Sequence, residues 1–101
     1  PQNLDFYSAS PEELASLSQH GNWEIRYRVA ENPNTHPNVL AILGQDVEYL
    51  VRWVVADNPN TSFDTLTLLA QDTHAGIRRS LVKNPRTPHT IWVKTYGRIL
   101  P

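Results

Sequence analysis

Apolar residues along the chain recur three and four positions apart rather than at every second position. Leucines form pairs with a spacing of three, and each pair is followed eight residues later by an aliphatic pair with a spacing of four. Both spacings place the two side chains on one face of an α-helix. A strand is the alternative for the β-branched run at residues 51–56, but a strand would require apolar residues at every second position. The pattern predicts alternating first and second helices, marked by Leu14 and Leu17, Ile25 and Val29, Leu40 and Leu43, Val51 and Val55, Leu66 and Leu69, and Ile77 and Leu81.

The dipeptide Asn-Pro sets the period of this pattern. It stands at Asn32-Pro33, Asn58-Pro59 and Asn84-Pro85, so that the three copies are 26 residues apart. Proline has no amide hydrogen and disfavours helical geometry in the residue before it, which predicts that each second helix ends there. Three units align without gaps over residues 10–35, 36–61 and 62–87, and residues 88–101 match about half a unit.

Helices this short are not stable alone, so successive units are expected to stack on one another. The sequence therefore predicts a single all-α domain over residues 1–101. Its expected architecture is an α-solenoid of about three and a half helix-pair repeats of 26 residues. Residues 1–9 and the truncated unit 88–101 are the expected caps of its two ends.

The order of motifs within a unit resembles one known family. In the second unit a proline-started helix contains Leu40 and Leu43, then Gln45 and Asp46 follow, and residues 51–61 read VRWVVADNPNT. This arrangement is similar to the leucine-rich repeat variant (LRV) family, whose helical repeats are HEAT-like. The resemblance implies a right-handed superhelix but no particular activity, because one scaffold can carry many functions.

The outer units depart from that pattern. His20 replaces the aspartate in the first unit, and Ala75, Gly76 and Val82 are expected to loosen the second helix of the third unit. Glycine in a helix costs about 1 kcal/mol relative to alanine.

Composition limits the available chemistry. The 101-residue chain has no cysteine, so neither a disulfide nor a thiolate metal site can form. The sequence also contains no catalytic or cofactor motif, and His20, His36, His74 and His89 do not recur at metal-ligand spacing. We therefore expect a non-enzymatic protein without cofactor or metal.

The sequence also bears on the location of the protein. No apolar run approaches the roughly 20 residues of a membrane span, and the first residues lack the features of a secretory signal. A cytoplasmic location without membrane attachment is expected.

One arginine position recurs in every unit. Arg26, Arg52 and Arg78 are equivalent, and Asp46 and Asp72 stand six residues before two of them. We expect a structural ladder in which the guanidinium groups bind these carboxylates and helix-end carbonyl groups between units, in preference to ligand binding.

A function is expected at surface positions that differ between units. Leu50 and Val54 are predicted to face outward from the second helix of the middle unit, beside the aromatic positions Trp23, Tyr27, Tyr49 and Trp53. Arg79 replaces the aromatic residue in the third unit and is predicted to stack on Trp53 as a cation over a ring. Such residues dominate many interfaces, which favours protein binding, although the aromatic rings could instead fill gaps between units.

The charge of the chain is unevenly distributed. Through Thr61 there are eight acidic and three basic residues, a net charge of −5, and from Ser62 onward there are two acidic and six basic residues, a net charge of +4. This asymmetry permits end-to-end association, although capped ends favour a monomer. It also supports an alternative function, binding of nucleic-acid phosphates by Arg79, Lys83, Arg86, Lys94 and Arg98.

Overall fold

A computed structural model describes residues 8–87 of the chain. Within this range the protein consists of six helices and no strands, in the order α1 Pro11–Leu17, α2 Trp23–Glu31, α3 Pro37–Leu43, α4 Tyr49–Asp57, α5 Phe63–Leu69 and α6 Ala75–Lys83. The predicted all-α class is confirmed for these residues. The predicted terminal cap at residues 88–101, and nearly all of the cap at residues 1–9, lie outside the described range.

Local chemistry explains where the helices begin. At α1, the Ser10 hydroxyl accepts a hydrogen bond from the Glu13 amide, while the Glu13 carboxylate accepts one from the Ser10 amide. This reciprocal pair of bonds is a capping box. Ser62 caps α5 through the amide of Thr65, and Pro37 occupies the first turn of α3.

The second helices end where the Asn-Pro pairs predict. Asn32, Asn58 and Asn84 are extended residues directly after the last helical position of α2, α4 and α6. Three residues later, the buried hydroxyl groups of Thr35 and Thr61 donate to the carbonyl oxygens of Val29 and Val55, each at 2.7 Å. These bonds satisfy carbonyl groups that lose their helical partners at the helix end.

The core is formed by the predicted leucine and aliphatic pairs. Leu40, Leu43, Leu66 and Leu69 of the first helices are buried, as are the aliphatic pairs of α4 and α6. In the first unit, Leu14 and Val29 are buried, but Leu17 and Ile25 are only half-buried, contrary to the prediction. Within residues 8–87 no helix precedes α1 to cover these two side chains.

The second helices form the main contacts between units. Helix α4 packs against both α2 and α6, and each first helix packs against the second helix of its own unit. Helices α3 and α5 also contact the second helix of the preceding unit. No helix among residues 8–87 exceeds nine residues, and none is long and apolar enough to cross a membrane.

Candidate functional site

The repeated arginines bind neighbouring units, as predicted. Arg26 donates from Nε and Nη2 to the two carboxylate oxygens of Asp46 at 2.6 and 3.0 Å, and Arg52 does the same to Asp72 at 2.7 and 3.3 Å. Each of these arginines therefore holds the aspartate that lies 20 residues later, in the following unit. The third arginine, Arg78, donates to the carbonyl oxygen of Asp72 at 2.6 Å. The residue 20 positions after it is Arg98, so the sequence does not continue the series.

Both ladder carboxylates are stabilised in the charged form. Burial raises the pKa of the Asp46 carboxyl, but the hydrogen bonds from Arg26 and the Glu48 amide, with the charges of Arg26 and Arg52, bring it below its ordinary value. Burial likewise raises the pKa of the Asp72 carboxyl. The hydrogen bonds from Arg52 and the His74 amide, with the charges of Arg52 and His74, outweigh burial and bring this pKa below its ordinary value. The bonds between the units thus favour ionised aspartate.

We expect these pKa values to make stability depend on pH in acid. Because the folded-state values are lowered, the stabilisation is fully present above the ordinary aspartate pKa of about 4 and is lost as the pH falls through the lowered values. Urea unfolding between pH 7 and pH 2 should show stability decreasing in this window. Replacing both Asp46 and Asp72 with asparagine should flatten the decrease, whereas Asp64→Asn, at an exposed position, is the control. An unchanged slope in the double variant would contradict this explanation.

A second series of bonds between units was not predicted from the sequence. The buried amide of Asn58 donates to the carbonyl oxygens of Ala30 and Asn32 at 2.7 and 3.0 Å, and that of Asn84 donates to Ala56 and Asn58 at 2.7 and 3.1 Å. The asparagines before proline were interpreted only as helix ends. The bonds could have been suspected from the residue type, because a helix can end before proline without an asparagine, yet asparagine stands at this position in all three units. The recurring arginines and asparagines thus supply bonds that join the units.

Aromatic residues form a surface on the second helices. We define the aromatic surface as the side chains Trp23, Tyr27, Tyr49, Trp53 and His74. The Trp23 and Tyr27 rings meet edge to face, with centroids 6.2 Å apart, on α2. On α4, Tyr49 stacks on His74 at 4.5 Å, and Trp53 lies 5.2 Å from the same imidazole. Trp23 and Tyr49 are 36% and 41% exposed, so a partner could contact these rings.

His74 was predicted only as a surface or capping residue, and the structure gives it two roles. Its Nδ1 atom accepts a hydrogen bond from the Gly76 amide at 3.1 Å and so caps α6, as predicted. Its ring also joins Tyr49 and Trp53 across the boundary between the second and third units. Nothing in the spacing of the sequence indicated this ring contact, because His74 precedes the helix that it caps.

Gly76 has a packing role that the sequence did not reveal. We expected it only to loosen α6, yet a Cβ atom at this position would lie 2.5 Å from Cη2 and 2.9 Å from Cζ3 of Trp53. The missing side chain makes room for the indole ring. Glycine at position 76 therefore fixes where Trp53 lies in the aromatic surface.

Gly76→Ala should displace Trp53 from His74. Alanine normally adds about 1 kcal/mol of stability relative to glycine inside a helix, but the contact with the indole should cancel this gain. NMR signals of the Trp53 and His74 rings should shift, and urea unfolding should show no stabilisation. Gly21→Ala is the control, since nothing lies within 4 Å of the Cβ position there. A full gain in stability with unchanged ring signals would show that Gly76 has no such role.

Other predicted surface residues differ in placement. Leu50 and Val54 were predicted to face outward, but both are half-buried, and Val54 packs against the core. Arg79 is exposed as expected, but within residues 8–87 no cation–π contact joins it to Trp53. The indole lies over Gly76 and against His74 instead. The most exposed large apolar side chains are Val47, Ile42, Leu68 and Phe63, which the sequence interpretation did not include.

The basic residues of the alternative phosphate site are only partly available. Arg79 and Lys83 are exposed and four residues apart on α6. Arg86 is exposed, but its Nε atom donates to the Thr61 carbonyl at 3.1 Å and its guanidinium group lies 5.5 Å from the centroid of the Phe63 ring. Lys94 and Arg98 lie outside the described residues. The described part of the chain therefore offers two exposed cations, Arg79 and Lys83, on one helix.

Histidine and acidic side chains do not assemble into a metal site in the described part of the chain: no three of them come close enough to hold one ion. The aromatic surface is the principal candidate site. Comparisons of the chain with family models, with curated proteins and with solved structures find no match.

Proposed function

We propose that the chain is a non-enzymatic helical-repeat scaffold that binds protein through the aromatic surface. The observation that carries this proposal is the exposure of Trp23 and Tyr49 on neighbouring second helices. Aromatic side chains bury a large area at a small cost in conformational entropy, which is why they are enriched at the centres of interfaces. Two such rings beside Tyr27 and Trp53 give the surface apolar area that the fold itself does not cover.

The distribution of polar residues supports the same proposal. Arg26 and Arg52 bind carboxylates of the following unit, and Asn58 and Asn84 bind carbonyl groups of the preceding unit. Residues that differ between units, including the aromatic positions, remain at the surface. In a repeat protein, repeated residues serve the scaffold, so the residues that vary are the better candidates for recognition.

We also propose that the units form a right-handed solenoid of the LRV type. The order of contacts from α2 to α4 to α6, together with the bonds that repeat at each boundary, supports a stack in which each unit touches only its neighbours. In this arrangement the aromatic surface lies on one side of the stack. A monomer remains the starting expectation for the protein on its own.

The proposed function is tested by a double variant of the two exposed rings. The wild-type chain and the double variant Trp23→Ser and Tyr49→Ser are each immobilised and exposed to a cell extract. The double variant should capture much less of the protein that the wild-type chain captures. The control combines Ile42→Ser and Leu68→Ser, which removes two apolar side chains that are 62% and 60% exposed on first helices. Circular dichroism should show both variants folded. Equal capture by the two double variants would be evidence against the aromatic surface as the binding site.

Nucleic-acid binding is the second candidate, supported by the exposed pair Arg79 and Lys83. Fluorescence anisotropy with labelled single- and double-stranded oligonucleotides tests it at low and near-physiological salt. Phosphate contacts predict micromolar binding that weakens steeply with salt and that is lost in the double variant Arg79→Ala and Lys83→Ala. The absence of binding at low salt would exclude this candidate.

A further inference from the structure

The exposed side of the second helices carries an ordered set of residues. The first, fifth and ninth positions of a helix lie on one side of it, since four residues make slightly more than one turn. On α2, α4 and α6 these positions are exposed or half-buried. They are occupied by Trp23, Tyr27 and Glu31 on α2, by Tyr49, Trp53 and Asp57 on α4, and by Ala75, Arg79 and Lys83 on α6.

The chemistry of this set changes from helix to helix. Helix α2 adds Glu24 to Glu31, and both carboxylates are exposed. Arg28 lies 3.9 Å from Glu31, but both side chains of this pair are about half exposed or more, so the attraction between them is weak. The exposed end of the set at α2 is therefore acidic and aromatic.

Helices α4 and α6 continue the series. Burial raises the pKa of the Asp57 carboxyl, while a hydrogen bond from Ser80 and the charge of Lys83 act in the opposite direction. Arg79 and Lys83 are both exposed, so α6 presents two basic side chains on the side where α2 and α4 present Glu31 and Asp57. Aromatic rings thus occupy the first and fifth positions of both α2 and α4, and at the ninth position the charge changes from negative on α2 and α4 to positive on α6.

We propose that this side binds an extended peptide segment that crosses the three second helices, with a basic side chain at α2, apolar side chains at α4 and an acidic side chain at α6. This inference rests on the proposed function, because it names the partner of the aromatic surface. The peptide crosses the helices rather than running along one of them, since the charge changes between helices.

The packing of the helices sets the length of this segment. Neighbouring packed helices lie about 8–10 Å apart, so α2 and α6 are separated by roughly 20 Å. An extended chain advances about 3.3 Å per residue, and about six residues therefore separate its basic and acidic ends. The partner is thus a short peptide with charges of opposite sign at its two ends.

Three synthetic eight-residue peptides test the order of charges. All contain the same four central residues, two leucines between two alanines. The first has two lysines at one end and two glutamates at the other, the second has lysines at both ends, and the third has glutamates at both ends. Fluorescence anisotropy with the wild-type protein should show about fivefold tighter binding of the first peptide, which corresponds to about 1 kcal/mol.

Two variants should exchange this preference. Replacing both Arg79 and Lys83 with glutamate makes the basic end acidic, so this variant should favour the peptide with lysines at both ends. Replacing both Glu24 and Glu31 with lysine should favour the peptide with glutamates at both ends. Each change is at an exposed position, and circular dichroism checks that the helices are retained. Because the two variants carry opposite predictions, general loss of structure cannot produce the expected pattern.

The outcomes separate this inference from the proposed function. Equal binding of the three peptides to every variant, with loss of binding in the Trp23→Ser and Tyr49→Ser double variant, would refute the order of charges while supporting the aromatic surface. Absence of binding by all three peptides would refute the inference. In that case the capture experiment still decides the proposed function by its own result.

Discussion

Replacing Asn58 with aspartate is expected to lower the free energy of unfolding by roughly 3–5 kcal/mol. The Asn58 side chain is 3% exposed, and its amide donates to the carbonyl oxygens of Ala30 and Asn32. A carboxylate has almost the same shape but no hydrogens to donate, so the Ala30 carbonyl would lose its donor, the Asn32 carbonyl would keep only the Thr35 amide, and a negative charge would lie against both oxygens. Each buried group left unsatisfied costs about 1–3 kcal/mol, and the charge adds to this. The expected loss is a large part of the 5–15 kcal/mol that stabilises an ordinary domain.

Asn34→Asp provides the matched control, because Asn34 is exposed and undergoes the same chemical change. Urea unfolding followed by circular dichroism at pH 7 should show a change within about 0.5 kcal/mol for this variant. If Asn58→Asp were as stable as Asn34→Asp, the amide bonds between units would not contribute to stability. The comparison therefore tests the asparagine series directly.

Leu66→Ala is expected to cost about 3 kcal/mol, which is the second largest effect among these predictions. Leu66 is completely buried in α5, and truncation there removes apolar contacts and leaves a cavity, for which large-to-small core changes cost about 2–5 kcal/mol. Leu68 is in the same helix two residues later and is 60% exposed. The same substitution at that position should cost less than about 0.5 kcal/mol.

Thermal and urea unfolding of the two leucine variants measure this difference. Because both variants carry the same residue in the same helix, differences in helix propensity cancel between them. Two values within 1 kcal/mol of each other would mean that α5 does not pack as described. The result would also bear on the exposure of Leu68, which the sequence pattern alone did not indicate.

The sequence was sufficient to predict the helices and their boundaries. Asn58-Pro59 ends α4 for a local reason, and the capping box of Ser10 and Glu13 begins α1 for another. Such signals depend only on residues a few positions apart, which is why they can be recognised without a structure. The recurrence of these signals every 26 residues then identified the three complete units.

Contacts between units were predicted less completely. The pairing of Arg52 with an aspartate was expected, but the structure shows that the carboxylate bond goes forward to Asp72 while the bond to Asp46 uses its backbone carbonyl. The direction of the pairing depends on how one unit is placed on the next. Helical spacing within a unit contains no information on that placement.

The candidate site was likewise predicted only in part. The aromatic positions could be identified from residue type alone, because Trp and Tyr dominate many interfaces, whereas the outward placement of Leu50 and Val54 was wrong. An apolar face wider than one stripe can be covered by the next unit, and the extent of that cover is not visible in a single helix. His74 was missed as part of the surface because its ring contact depends on the room that Gly76 leaves for Trp53.

The bonds between units also affect how such a chain can change its length. Arg26 and Arg52 each bind a residue 20 positions later, and Asn58 and Asn84 each bind residues 26 and 28 positions earlier. A tandem duplication of one 26-residue segment would therefore copy donors and acceptors together, and the inserted unit would find its partners already in place on both sides. A single substitution has the opposite effect, because it changes one member of a pair whose other member belongs to the neighbouring unit. Growth by whole units is consequently easier for this chain than gradual divergence at the positions that join them.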